Sequence, residues 1–356
     1  MEFINLEIIE AFSNWYIVMG IMLAAAFLLT LLFGRIALPI LRAKKAGQPI
    51  NEYVDAHKTK VGTPTMGGIS FVPAFLAVMA GFLIYLGVKT DWSGAYRETL
   101  GLALICLYAL GNAVIGFVDD YYKLLRRHNE GLTENQKFLL QVVLAAAFLA
   151  MMGLTDNLTT ALRIPFFDVY WELSWFAYPL YLLVMVGFVN ATNITDGLDG
   201  LASSICATVA LFLVAFSVHG SMVGSEPVGY MGAALLGCVL GFLVYNHHPA
   251  KMFMGDTGSL FLGAVIMGCA IMAGELILFV LAGFMFVIEM LSSLLQRVYY
   301  KLSHGKRIFK MAPFHHHLEK GGWTGKMWKE KEIFTLFTVV SLIFAILSFI
   351  GISHRY

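Results

Sequence analysis

Charge is what this sequence has least of. Asp, Glu, Lys and Arg make up 13% of 356 residues and hydrophobic residues 59%, where a soluble chain carries roughly 25% charged residues. That deficit excludes an ordinary soluble domain and points to a polytopic membrane protein, as does the mean hydropathy of +0.75. Cysteine is scarce too: Cys106, Cys206, Cys238 and Cys269 all lie in apolar stretches without CxxC or Cys/His spacing. This excludes a disulfide framework or cysteine-based metal site and leaves packing. Before the first apolar run stand Glu2, Glu7 and Glu10 and no Lys or Arg, the reverse of a secretory signal, so that run is expected to remain as a span. The 24 basic residues only balance the 23 acidic ones, which gives no excess that would point to nucleic acid. No tandem repeat, low-complexity tract or linker interrupts residues 1–356, and a single integral-membrane domain is expected.

What is present is a series of apolar runs. A membrane helix needs about 20 such residues, and runs of that kind fall at 15–41, 68–88, 99–118, 134–153, 174–191, 199–218, 229–246, 258–273, 275–300 and 333–352. The expected fold is therefore all-α, with ten transmembrane helices. The least secure division is at Gly274 and Glu275, and charge parity decides it. With ten spans, the loops 42–67, 119–133, 192–198 and 247–257 and the segment from Arg297 through 332 share one side and carry 5, 3, 0, 1 and 9 Lys and Arg, 18 in all, against 4 on the other. The positive-inside rule makes the first set cytoplasmic and both termini periplasmic. Nine spans would put the basic 301–332 loop on the wrong side. The external segment 154–173 alternates loosely after a turn-like TDN and predicts a small periplasmic β-hairpin. The apolar pattern over 275–302 exceeds one bilayer crossing, so that helix is expected to tilt, bend or protrude.

The polar residues that need a reason gather in the cytoplasmic loops. HKTKVGTPTMGG, at 57–68, sets Lys58 and Lys60 before three glycines, a composition suited to phosphate; a basic juxtamembrane turn explains it equally well. GFVDDYYK places Asp119 and Asp120 side by side at a membrane edge. Adjacent carboxylates there repel unless one is protonated, binds a metal or pairs with a cation, and pairing with Lys123 at helical spacing is the structural alternative. NATNITDGLDGL, at 190–201, supplies Asn190, Asn193, Asp196 and Asp199 where capping requires only one such residue. The two aspartates, three apart, would share a face if the sixth helix began there. NHHPAKMFMGDTGSL offers Asn246, Lys251, Phe253 and Asp256, with Asp256 expected on open backbone just before an apolar helix. Phe253 reads either as a stacking platform or as an interfacial anchor. After Gln296 and Arg297 comes MAPFHHHLEKGGW, whose adjacent His315, His316 and His317 diverge too much to hold one ion together; phosphate contacts suit them better than a zinc site.

The order GTPTMGG, VDDYYK, NATNITDGLDGL, FMGDTGSL and PFHHHLE resembles the polyprenyl-phosphate N-acetylhexosamine-1-phosphate transferase superfamily, glycosyltransferase family 4, over essentially the whole chain. The histidine motif is similar to that of its muramoyl-pentapeptide branch. The resemblance implies transfer of phospho-MurNAc-pentapeptide from UDP-MurNAc-pentapeptide to undecaprenyl phosphate, with release of UMP and a requirement for Mg²⁺, in a homodimer of the bacterial inner membrane with its active site facing the cytoplasm. It implies that Asp256 binds Mg²⁺, that Asp119 and Asp120 form an essential pair, and that His315 is catalytic. By the same resemblance Lys60, Thr65, Asn193, Asp196, Asp199, Asn246, Phe253, Gln296, His316 and His317 contact substrate, Phe253 as a platform for uracil. A related UDP-GlcNAc transferase is the alternative within the family. Outside it stand a transporter, whose acids would lie near the bilayer midplane, and a prenyltransferase, which would break a carbon–oxygen bond instead.

Overall fold

The computed structural model describes residues 2–44, 62–90, 96–126, 131–218 and 225–352. In chain order these form α1 (Glu2–Ala43), α2 (Gly68–Lys89), α3 (Tyr96–Arg126), α4 (Glu134–Leu154), β1 (Ala161–Ile164), β2 (Val169–Glu172), α5 (Ala177–Thr195), α6 (Leu201–Val218), α7 (Ser225–Asn246), α8 (Gly255–Ala273), α9 (Leu276–Ala282), α10 (Phe284–Leu302), α11 (Phe314–Glu319) and α12 (Glu330–Ile350). Apolar runs of this length become helices because hydrocarbon satisfies no backbone polar group. Among the described residues nine helices are long and apolar enough to cross a bilayer, and α9 with α10, bent by 82°, is either a tenth, broken span or a re-entrant pair. The bend falls at Gly283, between the two helices, which accounts for the overlong pattern at 275–302. The separation of α8 from α9 occurs at the doubtful division, where Gly274 takes a left-handed φ of +67° and ends α8.

The bundle is built around α8. Its residues are apolar on every face, and from Thr257 to Ile271 all are buried, the pattern of a helix enclosed by others. Helices α2, α3 and α5 pack directly against it, while α1, α6 and α7 form a second group alongside. The approach of α3 to α8 is as close as backbones allow: a Cβ on Gly116 would lie 2.2 Å from the Asp256 carbonyl oxygen. Helix α4 begins at a capping box in which Thr133 and Gln136 satisfy each other's backbone N–H.

The expected hairpin is present as an antiparallel pair, Ala161 opposite Glu172 and Ile164 opposite Val169. It exposes Phe166, Phe167, Tyr170 and Trp171, the residue types that settle at a membrane–water boundary. One buried residue fastens it to the bundle. The Arg163 guanidinium donates to Glu275 at 2.5 Å, to Asp168 at 2.7 Å and to the Gly351 carbonyl at 2.8 Å, joining the strand to the start of α9 and the end of α12. Removing one member of a buried ion pair leaves the other charge uncompensated, at about 3–5 kcal/mol. Arg163→Ala is therefore expected to lower the thermal midpoint of the detergent-solubilised protein clearly; a midpoint equal to the parent's would show the network to be idle.

Candidate active site

The opposite end of α8 collects the polar loops. The first turn of a helix leaves backbone N–H groups without internal partners and carries the positive end of the dipole. Asp120, fully buried on α3, answers this from another helix. Its carboxylate accepts from Asp256 N at 3.1 Å, Thr257 N at 2.9 Å and Thr257 Oγ1 at 2.7 Å. Gly255 makes the turn possible: its φ is +73°, and a Cβ there would stand 2.6 Å from Asp120 Oδ2. The helix therefore starts three residues earlier than expected, and Asp256 lies in its first turn instead of on open backbone before it. Asp119 and Asp120 differ from expectation in the same way, since α3 continues to Arg126 and neither residue sits at a helix end.

Asp256, partly buried, accepts from Asn193 Nδ2 at 2.8 Å, lies 3.3 Å from Lys123 Nζ and is in contact with the Lys137 ammonium. Lys123 also pairs with Asp119 at 2.6 Å, and Asp119 Oδ1 accepts from Leu132 N at 2.8 Å. One oxygen from each of Asp119, Asp120 and Asp256 falls within 4.8 Å of the others. Three carboxylates thus converge against two ammoniums, and an all-oxygen donor set of this kind can hold a hard divalent cation. Asn193 is itself oriented by Ser259 Oγ at 2.9 Å and by Lys137 Nζ at 3.3 Å.

The remaining candidates fall into distinct positions. Asp196 and Asp199 lie in the turn before α6, which begins only at Leu201, and they diverge instead of sharing a helical face. Asp196 takes a hydrogen bond from the Gly255 backbone; burial, and then the nearby Asp256 and Asp120 carboxylates, hold its carboxyl well above the usual range. Asp199 turns away, 3.0 Å from His248 Nδ1 and accepting from Ala250 N at 3.0 Å, while His248 lies 2.8 Å from Glu330 at the start of α12. Asn246 is buried, accepting from Gly200 N and Ser203 Oγ and donating to the Met252 carbonyl, so its amide ties the 199–203 turn to the 246–252 loop. Phe253 is partly buried, with its backbone held between Pro64 O and Gly67 N at 2.8 Å each, which brings Thr65 beside Gly255. Lys60 lies outside the described residues.

The histidines take three separate partners on α11. His315 is buried, with Nδ1 2.7 Å from Glu289 Oε2 and its backbone N donating to Oε1 at 3.0 Å. His316 pairs with Glu319 at 2.6 Å. His317 accepts from Lys310 N at 3.0 Å, and burial together with Lys310 lowers its pKa. Gln296 Oε1 accepts from Ile308 N and Phe309 N, fastening α10 to the segment that leads to α11. Sequence reasoning passed over Lys137 and Glu289 and treated Lys123 only as a helical partner. Glu289 had a signal, a lone acid within an apolar run; Lys137, near the polar start of its span, had none.

Residues 102–274 match the family model of glycosyl transferase family 4. The chain is 40% identical over 328 residues to the phospho-N-acetylmuramoyl-pentapeptide-transferase of Halalkalibacterium halodurans, covering 92% of this chain and 95% of that protein. It is 40% identical to the proteins of the same description from Geobacillus thermodenitrificans, over 92% and 95% of the two chains, and from Bacillus subtilis, over 90% and 94%.

The geometry separates two carboxylates by what their loss should do. Asp120→Ala strands three donors, two of them buried and costing about 1–3 kcal/mol each, and is expected to lower the thermal midpoint strongly. Asp256→Asn, which keeps an acceptor for Asn193, should lower it far less. Equal midpoints for the two variants would remove the capping role of Asp120.

Proposed function

The chain belongs to the phospho-N-acetylmuramoyl-pentapeptide-transferases of glycosyl transferase family 4, and from that membership we propose that the cluster at the start of α8 is where its phosphoryl chemistry takes place. The enzyme transfers phospho-MurNAc-pentapeptide to undecaprenyl phosphate and forms lipid I. A phosphate oxygen of the lipid forms a bond to the phosphorus that carries the sugar, and the bond from that phosphorus to UMP breaks. Two anions must meet, so catalysis rests on positioning and on positive charge placed in advance. The observation that carries the reading is the convergence of Asp119, Asp120 and Asp256, with Asp119 and Asp256 paired to Lys123 and Asp256 to Lys137.

Each residue then has a distinct task. Lys123 and Lys137 offset the repulsion between the lipid phosphate and the nucleotide diphosphate. Asp119, whose partners are Lys123 and a backbone N–H, orients the lipid phosphate. Asp120 holds the start of α8 and so fixes Asp256. The hard oxygen donors suit Mg²⁺, which Asp256 and Asp119 would hold and which, when bound, supplies charge neutralisation on the diphosphate and the leaving UMP. Asn193 and Asp196 line the approach from the nucleotide side, together with Thr65 and Phe253, the latter as the uracil platform. Lys60, His316 and His317 complete the substrate-binding shell, which Asp199, Asn246 and Gln296 support by holding its loops, and His315 contacts the transferred group. The excess of Lys and Arg in the loops at this end supports a cytoplasmic orientation in the bacterial inner membrane, with both termini periplasmic; a homodimer is the expected assembly.

The test is release of UMP by purified protein supplied with undecaprenyl phosphate, UDP-MurNAc-pentapeptide and Mg²⁺. Asp256→Asn is expected to abolish turnover at any Mg²⁺ concentration, and chelation of the metal should do the same in the parent. Lys137→Met should lower kcat by about 10²–10³, the scale of losing one preorganised electrostatic group. Near-parent turnover of either variant would disprove the role given to that residue. Competition between UDP-MurNAc-pentapeptide and UDP-GlcNAc in the same assay separates the muramoyl from the glucosaminyl reading.

A further inference from the structure

Glu289 has no part in the charge cluster, yet it is a carboxylate fully buried in an otherwise apolar stretch of α10. Such a group is costly unless something requires it. Both of its oxygens are engaged by one residue: Oε1 accepts from the His315 backbone N at 3.0 Å, and Oε2 lies 2.7 Å from His315 Nδ1. This two-point clamp fixes the rotation of the imidazole as well as the position of its backbone. His315 Nε2, also buried, has no hydrogen-bond partner among the described residues. It is directed at the turn between α5 and α6, where a Cβ on Gly197 would come within 2.4 Å of it. Gly197 directly follows Asp196, which is in contact with Gly255 in the first turn of α8. The ring edge therefore borders the loop that joins the histidine turn to the charge cluster.

We propose that Glu289 is a positioning residue for the transfer: by holding the Nδ1–H of His315, it turns Nε2 toward the Asp196–Gly197 loop as the one ring nitrogen left to meet the substrate. The partner bound by one imidazole nitrogen decides what the other can do. Here both the neutral ring and the imidazolium keep their Nδ1 proton on Glu289, so the same nitrogen faces the site in either form. Gly197 completes the arrangement: without a side chain it lets this ring edge lie against the loop, where a Cβ would stand 2.4 Å from Nε2. This inference rests on the reading of His315 as a substrate contact.

The experiment measures kcat and KM for UMP release per folded molecule, with the monodisperse full-length enzyme, in Glu289→Gln, His315→Ala and the double variant. Glutamine fills the same volume but can accept from only one of the two His315 donors. We expect Glu289→Gln to lower kcat by about tenfold or more, the scale at which an orienting partner of a functional histidine acts, and to add nothing in the His315→Ala background. A purely structural role would lower the yield of folded enzyme and leave kcat per molecule intact. Ring ¹⁵N resonances, with His315 identified by its loss in His315→Ala, should show protonation confined to Nδ1 or present on both nitrogens in the parent, and an Nε2–H tautomer appearing in Glu289→Gln.

Parent kcat in Glu289→Gln while His315→Ala is impaired would overturn the positioning role alone; so would losses that multiply in the double variant. Parent kcat in His315→Ala would overturn the underlying reading of His315. Should Glu289→Gln fail to fold, Gly197→Ala displaces the same ring edge from the opposite side. It is expected to lower kcat in the parent background and to have no further effect with His315→Ala, whereas parent kcat in Gly197→Ala would overturn the proposal.

Discussion

A helix buried on all sides cannot turn to water for the N–H groups of its first turn, and α8 is such a helix. Its start is therefore conditional on an acceptor brought in from elsewhere, and Asp120 is that acceptor. The consequence reaches well beyond one cap. Because the bonds run to Asp256 N and Thr257 N, the residue that carries the central carboxylate is held by its own backbone. Because Asp120 and Asp119 are consecutive on α3, the same contact brings Asp119 and Lys123 to that carboxylate. Bare glycine on α3 at 116 and the left-handed Gly255 on α8 let the two backbones come close enough for this.

Much of this arrangement could be read from the chain before any coordinates. Apolar run length marked nine of the long helices, and the overlong pattern at 275–302 foretold the bent pair α9 and α10. The five polar motifs stood out because each departs from an otherwise apolar background. What the chain could not disclose was direction. Asp196 and Asp199 are three residues apart, but the turn before Leu201 sends one toward α8 and the other toward His248 and Ala250. Asn246 looks like a ligand-facing amide in sequence, yet it bonds Gly200, Ser203 and Met252 of neighbouring segments. Lys137 carries no local mark of its importance, since it reaches Asp256 only through the packing of α4 beside α5. Glu289 was legible as an anomaly, but its purpose depends on a histidine 26 positions later, and such pairings are set by tertiary structure.

The two polar ends of the bundle are built on different principles. At the hairpin end, one guanidinium joins a strand, the α9 start and the α12 end in a compact tie. At the other end the three carboxylates outnumber the two ammoniums facing them, so the cluster is left with unbalanced charge. That imbalance is tolerable because the same carboxylates are constrained by backbone N–H groups and by neighbouring side chains.

The way α11 is attached differs from the way α8 is held. The start of α8 is fixed by the Asp120 carboxylate and also by main-chain groups at near-minimal separation, whereas the histidine turn is joined to the bundle through side chains: the Glu289 clamp, Gln296 on the 308–309 backbone, and rings of Phe309, Phe314, Trp323 and Phe337 against one another. Side chains can change rotamer, while backbones in contact cannot interpenetrate. If the cluster is the reaction centre proposed above, it has a stiff wall and a compliant one, and give in the second could admit a bulky peptidyl nucleotide without disturbing the alignment of the first.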